Sequence, residues 1–371
     1  MRKTLIAGTL MIAGITASAT DYAPYININA NHIEINGSDL SALKTKLSAL
    51  RSGTNDVVKI LNIGDSHIQA EFITNCLRDS LQKHWGNAGR GLISPLKLAG
   101  TNQPVNYTIT SPLDKSHWTQ TRLLKYPWPA HPGMTGISAI PDQPTTVTWH
   151  TTQPGHQIAN ATFISSKGIK KVSYDTPQDS VITNVDAGEA IYGAILDNGQ
   201  PGILFSSIGN NGACFTDYSL INNFASDTRL FDADLIILSM GTNEGFSTMS
   251  DDAIRRSVHD LIKTIRNYNP DTPILVSLPM ECQKNRNHGK RPLSPYYDIN
   301  KRVGEAVKVI KDQATHEGVM TWNLYEIAGG HGASDKWISD NLFNKDRIHP
   351  VKAGYIVMAN LLYDALLEVL K

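Results

Sequence analysis

Two rhythms of apolar and polar residues divide the chain. Residues 57–63 (VVKILNI) form a mostly apolar run stopped by Gly64, the pattern of a strand buried on both faces in a parallel sheet. Ile68, Phe72, Ile73, Cys76, Leu77 and Leu81 then recur at helical spacing and predict one apolar helix face. The alternation returns after residue 202, where GILFSS reads as a strand, DLIILSM (234–240) as another and ILVSL (274–278) as a third. Between the last two, Ile254, Val258, Leu261, Ile262 and Ile265 line one face of a helix that Ser250 is placed to cap. Further helices are expected over about 295–316 and 351–370, the last with Tyr355, Ala359, Leu362, Leu366 and Val369 inward. Such a β-α-β-α series packs as an α/β fold, a doubly wound parallel sheet with helices on both faces.

The rhythm stops between about 92 and 200. There the chain holds short β-type segments, VNYTIT (105–110), TTVTWHT (145–151), ATFIS (161–165), KKVSY (170–174) and SVITNV (180–185), separated by Gly, Pro, Asp and Asn. This predicts a β-sandwich-like domain, 92–201, inserted into an α/β domain made of 20–91 and 202–371.

Composition narrows the function classes. With 371 residues, 41% of them hydrophobic, the chain can bury one large core or two modest ones, which excludes general disorder. Lys and Arg number 34 and so do Asp and Glu, so the basic excess that binds phosphate backbones is missing and nucleic acid is not an expected partner. Cys76, Cys214 and Cys282 show no CxxC spacing and permit at most one internal disulfide. At the N-terminus Arg2 and Lys3 precede an apolar run from Thr4 to Thr16 and then Ala17-Ser18-Ala19, the order of a cleavable secretory signal peptide over residues 1–19. A nearly neutral mature chain in the periplasm or outside the cell is the expectation. No Cys follows the cleavage site to carry a lipid anchor, and no later run reads as a membrane span.

Four polar clusters sit at strand-to-helix or helix-entry junctions. Gly64-Asp65-Ser66-His67 lies at a strand-to-helix junction, where a serine would meet helix N-terminal N–H groups that favour developing negative charge. Asp346-Arg347-Ile348-His349-Pro350 precedes the last helix, and three residues of separation let Asp346 reach the Nδ1 side of His349 and leave Nε2 free to take a proton from a serine. Gly241-Thr242-Asn243-Glu244 follows an apolar strand and offers an Asn amide as a donor to an oxyanion, while Ser207 to Ala213 (SIGNNGA) offers glycine N–H groups. Each alone also reads as an ordinary turn or helix cap. Together they fall on the same edge of one sheet.

In these blocks the chain resembles the SGNH, or GDSL-type, hydrolases. The resemblance implies Ser66 as nucleophile, His349 as general base, Asp346 as its orienter, and an oxyanion hole from the Ser66 amide, Gly212 (Gly209 as the alternative) and the Asn243 side chain. His67 stands where the GDSL name has Leu, and Glu244 follows Asn243 where many members have Asp. The NIGDSHIQA and NGA forms are most similar to bacterial peptidoglycan O-acetylesterases and related secreted carbohydrate esterases. That implies a secreted serine esterase that removes acetyl groups from a glycan without metal or organic cofactor. Acetylated xylan as substrate, acetyl transfer to a sugar, and glycan binding without catalysis are the alternatives.

The remaining residues bear on substrate. Trp118 and Trp128 lie in polar, loop-like sequence within the insert and are the candidates for stacking on a sugar ring. Lys284, Arg286, His288, Lys290 and Arg291 form a basic loop after ILVSL, read as a solvated surface. His117, His131, His150 and His156 show no metal-ligand spacing.

Overall fold

A computed structural model describes residues 22–54, 56–285 and 296–371. The signal peptide expected over 1–19 and Arg286, His288, Lys290 and Arg291 of the basic loop lie outside the described residues.

Five near-continuous apolar runs form one parallel sheet: β1 (Val57–Gly64), β2 (Gly202–Gly209), β3 (Leu235–Ser239), β4 (Ile274–Leu278) and β5 (Met320–Asn323). Their order is β2-β1-β3-β4-β5. Strands buried on both faces need cover from both sides, and two helix layers supply it. The first layer is α1 (Ser41–Arg51), α3 (Phe72–Trp85) and α6 (Lys352–Leu370), which touch one another. The second is α4 (Asp251–Tyr268) packed on α5 (Lys301–His316). Ser250 caps α4, its hydroxyl accepting from the Ala253 N–H at 3.3 Å. The reversal of strand order on either side of β1 opens a crevice at the C-terminal strand ends, where open α/β sheets place their ligands.

The stretch between β1 and β2 builds antiparallel sheets, as its period-two pattern requires. One runs in the order 118–122, 137–141, 191–197, 158–165, 168–178, with 91–93 also paired to 191–197. The other joins 107–110, 145–151 and 180–185. A second core containing Tyr107, Val147, Trp149, Phe163 and Leu196 lies between them, distinct from that of the α/β part.

Several local expectations change. The helix over 68–81 is broken: α2 (Ser66–Gln69) ends before α3 begins, and Glu71 between them has φ +54°. The reason is a buried ion cluster. Glu71 turns inward and accepts from Arg90 at 2.6 Å, Asn106 at 3.0 Å and Arg78 at 3.3 Å, while Arg78 also donates to the Phe205 carbonyl of β2. Phe72 and Cys76, read as inward, are consequently partly exposed. The helix expected from about 295 starts at Lys301, because residues 297–299 pair as a strand with 283–285.

The sequence predicts no membrane span, but α6 has the length and composition of a membrane-crossing helix. Half of that stretch is buried inside the protein; Tyr355, Ala359, Leu362 and Leu366 face the core, with Val369 only half-buried. Cys76, Cys214 and Cys282 are all free thiols, the last two buried.

Candidate active site

The strand β1 delivers Ser66 to the crevice through a turn that only glycine permits. A Cβ on Gly64 would come within 2.3 Å of Ile68 Cγ1 and 2.5 Å of the Ser239 carbonyl. Asp65 then caps α2, accepting from the His67 N–H at 2.9 Å, and Ser66 is the first residue of that helix. The second contributor is the turn between β5 and α6. It is stitched by Asn344 N–H to the His349 carbonyl at 2.8 Å, Arg347 N–H to the Asn344 carbonyl at 2.9 Å and Val351 N–H to the Leu342 carbonyl at 2.8 Å.

These two segments, 283 residues apart, meet. Ser66 Oγ lies 2.8 Å from His349 Nε2 and His349 Nδ1 lies 2.8 Å from Asp346 Oδ2. Asp346 Oδ1 accepts the backbone N–H groups of Ile348 at 2.9 Å and His349 at 3.0 Å. Partial burial works against the ionised form of Asp346, but the His349 ring and the two N–H groups outweigh it and hold the carboxyl at about 2. It is therefore anionic beside the imidazole at any pH near neutrality.

Gly212 has φ +86° and is exposed, and its N–H, like that of Ser66, is not engaged by any of the described residues. Gly209 is different. It pairs with Gly64 in the sheet, and a Cβ there would come within 2.2 Å of the Gln69 nitrogen, so it serves close packing of β2 on α2. Asn243 follows β3, and its Nδ2 donates to the Ala213 carbonyl at 3.0 Å and faces Asp65 Oδ2 at 3.4 Å. The amide thus bridges the Ser66 and Gly212 segments, and the longer of the two bonds is the one that a ligand oxygen could replace.

Motif residues with no assigned role surround this line. His67 Nδ1 is 2.9 Å from the Tyr355 hydroxyl and its ring centroid is 5.0 Å from that of His349. The residue is half-buried, and desolvation together with the neighbouring His349 pushes its pKa down to about 3. An uncharged His67 leaves no positive charge opposing an imidazolium at His349. Asp65 and Glu244 are both buried and both pushed up to about 7 by desolvation; the His67 N–H and the nearby His349 partly offset this at Asp65, and the Phe215 N–H does so at Glu244, which the charge of Asp65 raises further. No spacing rule marks these groups; only burial does.

The two proposed sugar-stacking residues separate. Trp118 is 6% exposed and packs in the second core, because it opens the strand 118–122 and takes its inward face; it is not available to a ligand. Trp128 is half-buried, its Nε1 donating to the Leu123 carbonyl at 2.9 Å, and Tyr126, 78% exposed, stands edge-on to it at 5.6 Å. This loop approaches the candidate oxyanion segment: Leu124 Cγ is 3.8 Å from where a Cβ on Gly212 would stand, and Asn210 Nδ2 donates to the Thr135 carbonyl at 3.0 Å. His117 pairs with Asp142 on the surface and His156 with Gln82 in the interior. Among the described residues no group of three or more His, Cys, Asp or Glu is arranged to hold a metal ion.

Comparisons with known proteins fit this geometry. Residues 179–357 match the GDSL-like lipase/acylhydrolase family. The matched segment carries Gly212, Asn243, Asp346 and His349, with Ser66 upstream of it. Among solved structures, a peptidoglycan O-acetylesterase superposes with a TM-score of 0.77 at 23% identity, over 91% of this chain and 99% of the other. A lipase/acylhydrolase from Enterococcus faecalis (TM-score 0.34, 17% identity, 46% of this chain and 78% of the other) and an acetyl xylan esterase (TM-score 0.35, 14% identity, 44% and 81%) are also similar. No curated protein sequence matches. Along nearly its whole length the chain therefore has the α/β fold of a peptidoglycan O-acetylesterase, and its residues 179–357 are similar to the GDSL-like lipase/acylhydrolase family.

Proposed function

We propose that this protein is an exported serine esterase that removes O-acetyl groups from peptidoglycan, with Ser66, His349 and Asp346 as its triad. The observation that carries the mechanism is the unbroken line Ser66 Oγ, His349 Nε2, His349 Nδ1, Asp346 Oδ2, with 2.8 Å at each junction between residues. Ser66 attacks the acetyl carbonyl as His349 takes its proton, and the carbonyl oxygen becomes an oxyanion facing the Ser66 and Gly212 N–H groups and the Asn243 amide. Collapse releases the sugar hydroxyl with the proton from His349. Water, deprotonated by the same imidazole, then attacks the acetyl-enzyme and frees acetate and Ser66. Asp346 stays ionised throughout, fixing the tautomer and stabilising the imidazolium.

The choice of glycan is supported by a shared fold along nearly the whole chain, β-rich insert included, with a peptidoglycan O-acetylesterase. Trp128 with Tyr126 beside the Gly212 segment gives that insert an aromatic surface suited to a pyranose face. Export rests on the Arg2-Lys3 start, the apolar run and Ala17-Ser18-Ala19.

Acetate release from O-acetylated peptidoglycan and from acetylated xylan, each with and without an acceptor glycan, tests the reading. Faster release from peptidoglycan, insensitive to acceptor and abolished in Ser66→Ala, is expected. Preference for xylan would move the substrate, acetyl transfer to the acceptor would make the protein a transferase, and glycan binding with equal turnover in wild type and Ser66→Ala would defeat the catalytic account.

A further inference from the structure

Gln69 is the last residue of α2, three beyond Ser66, and is 3% exposed. A buried primary amide must find partners for its oxygen and both hydrogens, and this one finds them on two separate segments. Its Oε1 accepts the Asn211 backbone N–H at 2.9 Å. Its Nε2 donates to Asn102 Oδ1 at 2.7 Å, with Thr101 Oγ1 at 3.1 Å and the Asn102 carbonyl at 3.2 Å also within reach. Asn211 Nδ2 closes the triangle by donating to the same Asn102 Oδ1 at 2.8 Å.

The placement of this triangle gives it meaning. The segment 210–213 is tied at its start by Asn210 N–H to the Gly64 carbonyl at 3.1 Å and at its end by Ala213 N–H to the Asn210 carbonyl at 3.1 Å. Between those ties Asn211 and Gly212 are exposed, and Gly212 has the left-handed conformation that carries least side-chain restraint. The Gln69 to Asn211 bond fixes the peptide immediately before the Gly212 N–H. Asn102 belongs to the β-rich insert, so the same amide connects nucleophile helix, oxyanion segment and insert.

We propose that Gln69 is a positioning residue for the oxyanion segment and that Asn102 couples its setting to the inserted domain. This rests on the reading of Ser66 and Gly212 given above. An oxyanion donor contributes only when it is already aimed where charge develops, so freeing the peptide before Gly212 lowers transition-state stabilisation more than ground-state binding.

The test uses the full chain and 4-nitrophenyl acetate, which needs no glycan contact. Gln69→Met keeps the length and removes both ends of the bridge. Its kcat is expected to fall about 10- to 100-fold, below the loss for deleting a donor outright, with KM within about twofold. Amide hydrogen exchange over residues 211–213 should quicken in parallel. Asn102→Ala, at an exposed residue, should lower kcat several-fold at unchanged KM and Tm. Wild-type kcat in a folded Gln69→Met, or a loss shared equally by KM and Tm, overturns the proposal. If Gln69→Met does not fold, Asn102→Ala decides it: wild-type kcat and exchange overturn the coupling, reduced kcat at unchanged KM supports it. Ser66→Ala in the same assay separates the two readings, since persistent turnover there sinks the triad itself, whereas its loss with an unaffected Gln69→Met sinks only the bridge.

Discussion

Replacing Asp346 by Asn probes the proton path more sharply than deleting it. Asp346 Oδ1 is held by two backbone donors, Ile348 N–H at 2.9 Å and His349 N–H at 3.0 Å. In Asp346→Asn the amide oxygen must take that place, because an NH2 group there would face two donors. The NH2 is then turned toward His349 Nδ1, which sits 2.8 Å from Oδ2 in the wild type. A donor facing Nδ1 makes Nδ1 an acceptor and puts the ring proton on Nε2, so the imidazole donates to Ser66 Oγ and cannot take its proton. A buried triad Asp loses about 10⁴ in kcat on the same change. The Asp346 side chain is 47% exposed, so water moderates the effect, and a loss of about 10²- to 10³-fold is expected, or about 3–4 kcal/mol of transition-state stabilisation. Asp346→Ala leaves the tautomer free and opens room for water, and should lose about tenfold less than Asn. Steady-state hydrolysis of 4-nitrophenyl acetate, with circular dichroism to confirm folding, measures both. Asp346→Asn retaining activity within about threefold of wild type, or Ala being the more damaging change, would refute the tautomer argument.

Other expectations follow from burial. Glu244 is fully buried, its Oε1 accepts the Phe215 N–H at 2.8 Å and its Oε2 has no partner, and desolvation raises it to about 7. The folded protein thus keeps a proton that the unfolded chain releases near pH 4, and this carboxyl loses stability as pH rises from about 4 to 7. Glu244→Gln keeps the Phe215 bond and has no such proton, so its urea midpoint should gain on wild type across that window and level off above it; a gap independent of pH would contradict the assignment. Glu71→Gln leaves the guanidinium groups of Arg78 and Arg90, both 0% exposed, without their carboxylate and should destabilise by about 3–5 kcal/mol in denaturant unfolding. A loss under about 1 kcal/mol would mean that Glu71 does not compensate the two buried guanidinium groups. Gly64→Ala forces its Cβ against Ile68 and the Ser239 carbonyl, and esterase activity should fall at least tenfold through displacement of Ser66, about 1 Å of misplacement costing up to ~10²-fold; unchanged kcat would show that the turn has room to spare.

The α/β part was legible because its strands are buried on both faces. VVKILNI and ILVSL read as strands without any partner being known, and the polar residues that interrupt such runs fall at their ends, where the crevice lies. Residues 64–67 and 243 stand out for that reason, and 346–349 because they enter the last helix. What stayed hidden depends on partners far away in sequence. Glu71 looks like one more polar position on an amphipathic helix, and only Arg90 downstream and Asn106 in the insert explain why the helix breaks there. Trp118 has polar neighbours, KSH before and TQT after, yet a strand alternates its faces and turns the indole inward while Thr119 is exposed. Gln69 carried no signal, since its role lies in meeting Asn102 and Asn211. The single Lys, Asp and Glu residues of α6 are spread along it and mask a length and composition that match a membrane span.

The most direct test of the triad is peptide mapping by mass spectrometry after reaction with a serine-directed fluorophosphonate, in wild type and in His349→Ala. A single adduct on the peptide containing Ser66, formed in step with loss of ester turnover and strongly slowed in His349→Ala, is the predicted result. Complete loss of turnover with the adduct on another residue, or equal labelling of Ser66 in both proteins, would contradict it.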